Sequence, residues 1–501
     1  MAEKQIRNKS AAAAPAPAAT DRQTSGKLGV FALASIVISS MIGGGIYSLP
    51  QNMAAGASAG AVLLAWVITG IGIYFIANTF SILSRAKPDL TAGIYMYSRA
   101  GFGPYVGFTI GWSYWLCQVC GNVGYAVITM DALNYFFPPY FAGGNNLASI
   151  IGGSIIIWGF NFLVLRGIKQ ATVVNMIGTV IKIVPLILFI IIMAVMFTSS
   201  KFDFDFWGEA VATKAKLGGL STQIKSTMLV TLWAFIGIEG AVVMSNRAKT
   251  PGDVSKATVL GFIGCLAVYI LLSLLPYGFM SQAQLAAIPN PSTAGILEEA
   301  VGPWGSWLMN IGLLVSVLTS WLAWTMVTAE IPQAAAQNGT FPKEFSKENK
   351  FGSPSVSLWV TSTMMQLFIL LVYFSSNAWN TMLSITGVMV LPAYFASCAY
   401  LWKICEDGEY PADISVKRSA ALITGVLGAI YALWLIYAAG LNYLLMAVVI
   451  VALGIPVFIW ARKQNAPEEK AFTKAEACLA CALIIIALWA IYAFSRGIVA
   501  I

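Results

Sequence analysis

The sequence predicts an all-α, polytopic membrane protein, and its composition and its long apolar stretches carry that prediction. The chain has 501 residues, of which 58% are hydrophobic and only 10% are charged, with a mean hydropathy of +0.77. Soluble domains carry about a quarter of their residues charged. A soluble fold is therefore excluded, and stretches of about 20 apolar residues recur as expected for bilayer-spanning helices.

Twelve or thirteen membrane-spanning helices are predicted within a single domain over residues 27–501. Residues 1–26 precede this domain and form a polar stretch with an Ala/Pro tract, which predicts a disordered cytoplasmic tail. The division of the stretch 419–461 into two spans depends on Ala439 and Gly440 alone. The predicted spans are 28–53, 59–83, 104–137, 147–166, 172–198, 226–246, 257–280, 304–332, 355–374, 378–402, 419–438, 441–461 and 476–496.

The loops between these spans alternate in charge, which predicts the orientation of the chain. Lys and Arg occur in the N-terminal tail and after every even-numbered span, whereas the loops 138–146, 281–303, 375–377 and 439–440 have neither. Only the loop 199–225 breaks the pattern, with four lysines beside three acidic residues. The positive-inside rule then predicts a cytoplasmic N-terminus and an external C-terminus.

Several function classes are excluded or disfavoured by what the sequence lacks. Histidine is absent, so a zinc–histidine site is excluded. There is no Walker A pattern and no catalytic motif such as GxSxG. The net charge of +8 is explained by the cytoplasmic loops, without a nucleic-acid partner. We therefore expect neither an enzyme nor a cofactor, and the two CxxC pairs, in apolar helices, are expected to act as small hydrophobic residues.

Three consecutive glycines, Gly43, Gly44 and Gly45, interrupt the first span. Each glycine disfavours helix by about 1 kcal/mol relative to Ala, and free backbone groups are tolerated at this depth only inside protein or beside a cavity. Their N–H groups could bind a carboxylate, and the carbonyls of Ser39–Met41 an ammonium. The alternative is that the glycines only allow close helix packing.

The sixth span contains the motif Trp233-Ala-Phe-Ile-Gly-Ile-Glu-Gly240, which places a glutamate near the middle of the membrane. A carboxylate there costs roughly 2.5–3.5 kcal/mol on insertion scales, so Glu239 is a candidate sensor of substrate or pH. The alternative is a protonated structural glutamate. Trp233, and Trp324 in span eight, offer faces for a guanidinium or ammonium group, although any one tryptophan is more often part of the core or of an interfacial belt.

Span three carries Tyr114, Gln118 and Asn122 at four-residue spacing, so they share one helix face. This polar stripe is consistent either with a cavity or with a helix–helix hydrogen bond. Lys182 in span five lies deep in the membrane and needs a cage of carbonyls or a carboxylate. It is a candidate tethered cation in place of sodium, or it extends to the headgroups.

These motifs resemble the amino acid–polyamine–organocation superfamily, in its branch of basic amino acid exchangers. The resemblance covers residues 27–500. It is carried by Ile42-Gly-Gly-Gly-Ile-Tyr-Ser-Leu-Pro-Gln-Asn-Met-Ala54, Leu232-Trp-Ala-Phe-Ile-Gly-Ile-Glu-Gly-Ala241, Ala323-Trp-Thr-Met-Val-Thr-Ala-Glu-Ile-Pro332 and Ala336-Gln-Asn-Gly-Thr-Phe-Pro342. It implies two inverted five-helix repeats with broken helices 1 and 6, followed by two or three C-terminal helices.

The resemblance also implies the roles of particular residues. The substrate site would comprise Ser40, Met41, Gly43, Gly44, Gly45, Tyr114, Cys117, Asn122, Trp233, Ile236 and Trp324. Tyr114 matches a gating tyrosine, Glu239 a glutamate implicated in proton sensing, and Lys182 a lysine that replaces sodium. Ser384 lies near the position of a span-ten serine. The sequence departs from the better-known exchangers at Ser40, where they have asparagine, and at Gly44, where they have serine.

The function implied is exchange of external arginine for internal agmatine across the bacterial inner membrane, in support of acid resistance linked to decarboxylation. Arginine/ornithine exchange is the first alternative and lysine/cadaverine exchange the second. A receptor that does not transport is a further alternative, disfavoured by short tails. The expected partners are these small molecules and the lipid bilayer, with a homodimer expected by analogy alone.

Overall fold

The computed structural model describes residues 28–90, 94–243, 248–375 and 378–499, so the predicted tail 1–26 lies outside the described residues. Within those ranges the chain forms helices and no strand, with one isolated bridge between Leu28 and Ala248. The helices are α1 (Val30–Met41), α2 (Leu49–Ala54), α3 (Ala59–Ala86), α4 (Ile94–Phe102), α5 (Pro104–Phe136), α6 (Leu147–Leu165), α7 (Ile168–Met196), α8 (Ser199–Asp203), α9 (Val211–Leu217), α10 (Leu220–Ala234), α11 (Gly240–Val243), α12 (Pro251–Leu274), α13 (Gln282–Ala287), α14 (Ser292–Val301), α15 (Pro303–Gln337), α16 (Ser355–Val372), α17 (Ala378–Glu406), α18 (Arg418–Ala439), α19 (Leu441–Ala452), α20 (Ile455–Asn465) and α21 (Lys474–Ser495).

The prediction of an all-α protein that crosses the membrane many times is confirmed. Eleven described helical segments are long and apolar enough to span a bilayer, and the bent pair α1 and α2 brings the number to twelve. The sixth predicted span corresponds to α10 and α11 with a break between them, and its last residues, 244–246, lie outside the described ranges. The total of twelve or thirteen spans, and the inverted repeats, stay predictions.

The helix ends differ from the predicted ends where good helix formers follow the apolar stretch. Helix α15 continues to Gln337, five residues past the predicted end, through Ala334–Ala336. Helix α4 was not predicted because its nine residues are too few to register as a span. The predicted division after Ala439 is confirmed, since Gly440 between α18 and α19 has a φ of +83°, a conformation that favours glycine.

The loops meet in two separate groups. In one group, Arg99 of α4 donates to Thr340 Oγ1 after α15 at 2.8 Å, and Lys403 of α17 donates to the Gly101 carbonyl at 2.7 Å. In the other group, Gln282 donates to the Ala54 carbonyl at 2.6 Å, and Asn145 to the Ser375 carbonyl at 2.7 Å. We call the first group, where Lys and Arg are concentrated, the basic face, and the second group the opposite face.

The centre of the protein lies where α1, α5, α10, α15 and α17 meet. Helices α5, α15 and α17 are buried along most of their length, whereas α6 and α21 present large apolar side chains outward. Such an exposed apolar perimeter is what a bilayer solvates. The breaks in the first and sixth spans therefore lie at the protein centre, shielded from lipid.

Candidate functional site

The first span is broken where the glycines predict it. Helix α1 ends at Met41, and a 3₁₀ turn over Gly44–Ser48 leads into α2, with a bend of 47° between the two halves. Ile42 has φ −83° and ψ 79°, and Gly43 has φ −101° and ψ −160°, so neither continues a helix. The backbone groups at the break must therefore be satisfied by side chains or by a ligand.

The sixth span is broken between α10 and α11, and its break lies against the first. Gly237 has a φ of +113°. A Cβ added to Gly237 would lie 2.8 Å from Ser40 Cβ, so only glycine allows this approach. Ser40 Oγ lies 3.4 Å from the Gly237 carbonyl oxygen. The two interruptions thus form a single junction.

Each of the three glycines in the first break is closely covered by another side chain. An added Cβ would lie 2.7 Å from the Tyr125 hydroxyl at Gly43, 2.4 Å from Val317 Cγ2 at Gly44 and 1.6 Å from Trp233 Cη2 at Gly45. The requirement for close packing therefore accounts for all three glycines, as the alternative interpretation holds. In addition, the Gly43 N–H donates to the Met41 carbonyl at 3.0 Å, so it is not a free anion-binding group.

Lys182 lies inside a cage of oxygen atoms at the first break. Its Nζ is 2.9 Å from the Ser39 carbonyl, 2.9 Å from Ser39 Oγ, 2.7 Å from the Ile42 carbonyl and 2.9 Å from Ser320 Oγ. The side chain is fully buried. Lys182 therefore does not extend to the headgroups; its ammonium satisfies carbonyls that the break leaves without helical partners.

Two further carbonyls of the break each accept one hydrogen bond. The Ser40 carbonyl accepts from Trp324 Nε1 at 3.1 Å, and the Met41 carbonyl accepts from the Gly43 N–H. Each carbonyl oxygen has two lone pairs, so each keeps one acceptor site. The predicted binding of an ammonium by Ser39–Met41 is thus restricted to Ser40 and Met41, because Lys182 and Ser320 already occupy the Ser39 carbonyl.

A cavity lies beside this junction. Aromatic side chains form much of its wall, and none of the described residues that line it is charged. The lining residues are Ser40, Met41, Gln118, Gly121, Asn122, Gly124, Tyr125, Trp233, Ile236, Trp324, Trp379, Met382, Leu383 and Thr386. The cavity thus brings together six predicted residues: Ser40, Met41, Asn122, Trp233, Ile236 and Trp324.

Three polar atoms of these lining residues are buried without a hydrogen-bond partner among the described residues. They are Gln118 Nε2, Asn122 Oδ1 and Trp379 Nε1. A buried polar group without a partner costs about 1–3 kcal/mol. The residues that line the cavity therefore carry two donors and one acceptor without a partner among the described residues.

Tyr114 and Cys117 do not line the cavity, in contrast to their predicted place in the substrate site. Tyr114 donates to Glu239 Oε1 at 2.7 Å, and Tyr394 donates to Glu239 Oε2, also at 2.7 Å. Cys117 Sγ lies 3.2 Å from the Thr386 carbonyl. We call Tyr114, Glu239 and Tyr394 the carboxylate clamp; it joins spans three, six and ten and leaves no member exposed.

Sequence reasoning did not assign several residues that line the cavity. Tyr125 lies on the same face of α5 as Gln118 and Asn122, at spacings of three and seven residues, so extension of the polar stripe would have found it. Trp379, Met382 and Thr386 recur along one face of α17. Their apolar pattern gave no sign of a cavity. Thr386 faces the cavity, and Ser384 does not line it.

Known proteins of similar sequence bear on this site. A family model described as "Amino acid permease" matches residues 28–457. A protein of Chlamydia pneumoniae named "Arginine/agmatine antiporter" is 64% identical over 481 residues, which cover 95% of this chain and 99% of that protein. A protein of the same name from Chlamydia abortus is 64% identical, and the match covers 94% of this chain and 97% of that protein. Another from Chlamydia trachomatis serovar D is 60% identical, again over 94% of this chain and 97% of that protein. The broken spans, the uncharged cavity at their junction and these matches lead to one conclusion: the chain belongs to the amino acid permease family and is a transporter rather than an enzyme.

Proposed function

We propose that this protein exchanges external arginine for internal agmatine. The observation that carries the proposal is the cavity at the junction of the two breaks. Within the described part of the chain it has aromatic walls, unpaired polar atoms and no charged lining residue. The names of the similar chlamydial proteins support the same substrates.

The walls of the cavity favour a guanidinium over an ammonium. A guanidinium is planar, weakly hydrated and stacks on aromatic faces, whereas an ammonium is a compact, strongly hydrated charge. Tyr125, Trp233, Trp324 and Trp379 supply such faces, and cation–π contacts contribute about 2 kcal/mol or more when desolvated. Arginine and agmatine both carry a guanidinium, whereas ornithine, lysine and cadaverine do not.

The lining also suits a substrate pair that differs by one carboxylate. No lysine or arginine is found among the described residues that line the cavity, so binding does not depend on a cationic side chain that would pair with the carboxylate agmatine lacks. For arginine, Gln118 Nε2 and Trp379 Nε1 are donors available to its carboxylate, and Asn122 Oδ1 is an acceptor for an N–H. Ornithine exchange has no comparable support in this lining.

We assign the predicted residues as follows. Ser40, Met41, Asn122, Trp233, Ile236 and Trp324 contact the substrate; Gly43, Gly44 and Gly45 allow the break and its close packing. The carboxylate clamp closes the cavity toward the basic face and responds to protonation of Glu239. Lys182 supplies a fixed positive charge that satisfies carbonyls of the first break.

The orientation follows from the distribution of basic residues. We place the basic face in the cytoplasm, with the N-terminus, and the protein in the inner membrane. Arginine enters with one net positive charge and agmatine leaves with two, so each cycle moves one positive charge outward. Coupled to a cytoplasmic decarboxylase, which consumes a proton, this exchange supports acid resistance. The homodimer stays a prediction.

Counterflow in proteoliposomes tests the proposal. Liposomes loaded with agmatine, ornithine, cadaverine or buffer are given labelled external arginine, and uptake is recorded with and without an imposed membrane potential. We expect uptake with internal agmatine and little with internal ornithine or cadaverine. An inside-positive potential should accelerate arginine–agmatine exchange, because net positive charge leaves, whereas arginine–ornithine exchange would be electroneutral.

Two tryptophan variants complete the test. Trp233→Ala removes a wall of the cavity, whereas Trp359→Ala removes a 43%-exposed tryptophan on the perimeter. We expect the first to abolish counterflow and the second to preserve it. Equal uptake with internal agmatine and internal ornithine, or uptake insensitive to potential, would contradict the proposal in favour of arginine/ornithine exchange.

A further inference from the structure

A second cavity lies on the opposite face. It is lined by the end of α5, the loop after it, the end of α13 with the following segment 288–291, and the start of α17. We call it the vestibule. Its loops lack Lys and Arg, so in the orientation proposed above the vestibule opens outside the cell.

Trp379 lines both the vestibule and the central cavity. Its ring packs edge-on against that of Trp233, with centroids 5.6 Å apart and an interplanar angle of 84°. Trp379 therefore lies between the two spaces, where its displacement would open a route from the vestibule to the central cavity.

Asp131 is the only charged residue among the described residues that line the vestibule. Its Oδ1 accepts the Gly143 N–H at 3.0 Å, which orients the carboxylate toward the loop and leaves further acceptor sites on its two oxygens. Asn290 Oδ1, also on a lining residue, is buried and has no partner among the described residues. The vestibule thus provides a negative charge and an unsatisfied acceptor, and no cation that would compete.

We propose that the vestibule is a second, transient binding site for the cationic substrate, where Asp131 binds the guanidinium before Trp379 admits the substrate to the central cavity. This inference rests on the function proposed above, because it takes a guanidinium compound as the ligand. A planar guanidinium has five N–H donors. It can therefore donate to the Asp131 carboxylate and to the Asn290 amide oxygen at the same time.

The kinetic consequence is a higher rate of capture on one side of the membrane. A cleft that carries one sign of charge raises the local concentration of the opposite ion, and the effect declines with ionic strength. The Debye length is about 30 Å at 0.01 M and about 3 Å at 1 M, so the influence of Asp131 should be large only at low salt. The central cavity keeps its own contacts, so the rate at saturation should not change.

Asp131→Asn tests the inference, since asparagine keeps an oxygen to accept the Gly143 N–H and removes the charge. Arginine uptake is measured in right-side-out and inside-out vesicles loaded with agmatine, with sucrose balancing osmolarity across the salt series. We expect Asp131→Asn to raise the KM for arginine about fivefold at 0.01 M ionic strength in right-side-out vesicles, and less than about twofold at 1 M. Inside-out vesicles should show no change.

Asp131→Glu should restore the wild-type KM, and Asp203→Asn, which removes an exposed carboxylate outside the vestibule lining, should leave the KM unchanged. The inference is overturned if Asp131→Asn leaves KM unchanged at low salt, or alters it equally in both vesicle orientations. It is also overturned if the variant lowers the saturated rate at every ionic strength, which indicates a structural role. Failure of the wild-type chain to exchange arginine for agmatine instead overturns the proposed function.

Discussion

Lys182→Ala is expected to inactivate transport by removing the cation at the first break. The ammonium of Lys182 has three N–H donors and four oxygen neighbours at 2.7–2.9 Å. Each charge-assisted hydrogen bond contributes about 1.5–3 kcal/mol, partly offset by the desolvation of the ammonium. Alanine removes the charged donor of the Ser39 and Ile42 carbonyls, and two bonds of that strength amount to about 3–6 kcal/mol before the offset. We therefore expect the native arrangement of the break to lose about a thousandfold in equilibrium population, since 1.4 kcal/mol corresponds to tenfold.

Counterflow measured with and without sodium distinguishes loss of the positive charge of Lys182 from loss of protein stability. Alanine leaves the oxygens of Ser39, Ile42 and Ser320 around an empty space, and hard cations bind oxygen ligands of this kind. We expect Lys182→Ala to show little counterflow in potassium or N-methylglucamine and partial recovery in sodium. Lys182→Met, which fills the space with an apolar chain, should not recover.

Lys201→Ala is the matched control, because Lys201 is exposed and its Nζ donates to one carbonyl, that of Phe279, at 2.9 Å. It should transport as the wild type does with or without sodium. Wild-type counterflow by Lys182→Ala in the absence of sodium would refute the reasoning that this break requires a cation.

Three further predictions concern the junction and the carboxylate clamp. Gly45→Ala places a Cβ 1.6 Å from Trp233 Cη2, so the indole must move; we expect arginine affinity, measured by scintillation proximity binding, to fall at least about tenfold, or about 1.4 kcal/mol. Glu239→Gln replaces a carboxylate that accepts three hydrogen bonds and imitates its protonated form; exchange at neutral pH should approach the wild-type rate in acid, and the pH profile of counterflow should flatten. Trp324→Phe keeps an aromatic face and removes the N–H that donates to the Ser40 carbonyl; the loss of about 1 kcal/mol should weaken arginine binding about fivefold, as measured by calorimetry.

Each of these variants has a control away from the site. Gly264→Ala adds a methyl group with no atom within 4 Å and should bind arginine normally. Glu209→Gln removes an exposed carboxylate and should keep the wild-type pH profile, and Trp359→Phe should keep the wild-type affinity. Unchanged affinity in Gly45→Ala, an unaltered pH profile in Glu239→Gln, or unchanged binding by Trp324→Phe would each contradict the corresponding argument.

The sequence was sufficient to predict the helical membrane fold and the two breaks. Apolar length follows directly from bilayer thickness, and three adjacent glycines disfavour a continuous helix. The ends of α15 and the presence of α4 were harder to predict. They depend on helix propensity and on packing against other helices, and bilayer thickness does not determine either of them.

The candidate site was predictable where one helix face carried a polar pattern and unpredictable where several helices had to meet. Asn122 belongs to a stripe visible in the sequence, whereas Trp379 lines the cavity only because α17 packs beside α5. The need of Lys182 for oxygen partners followed from its depth, but the identity of those partners depends on how α7 and α15 pack around the break. Tyr394 illustrates the same point, since only the folded chain brings its hydroxyl to Glu239.

The contact between Gly237 and Ser40 affects how the transport cycle can run. Because the two backbones touch with no room for a methyl group, one hinge cannot turn without pushing on the other. Intermediates in which only one of the two hinges has turned should therefore be strained and short-lived. In a carrier built in this way, the binding site would change sides only when a bound substrate stabilises both hinges at once.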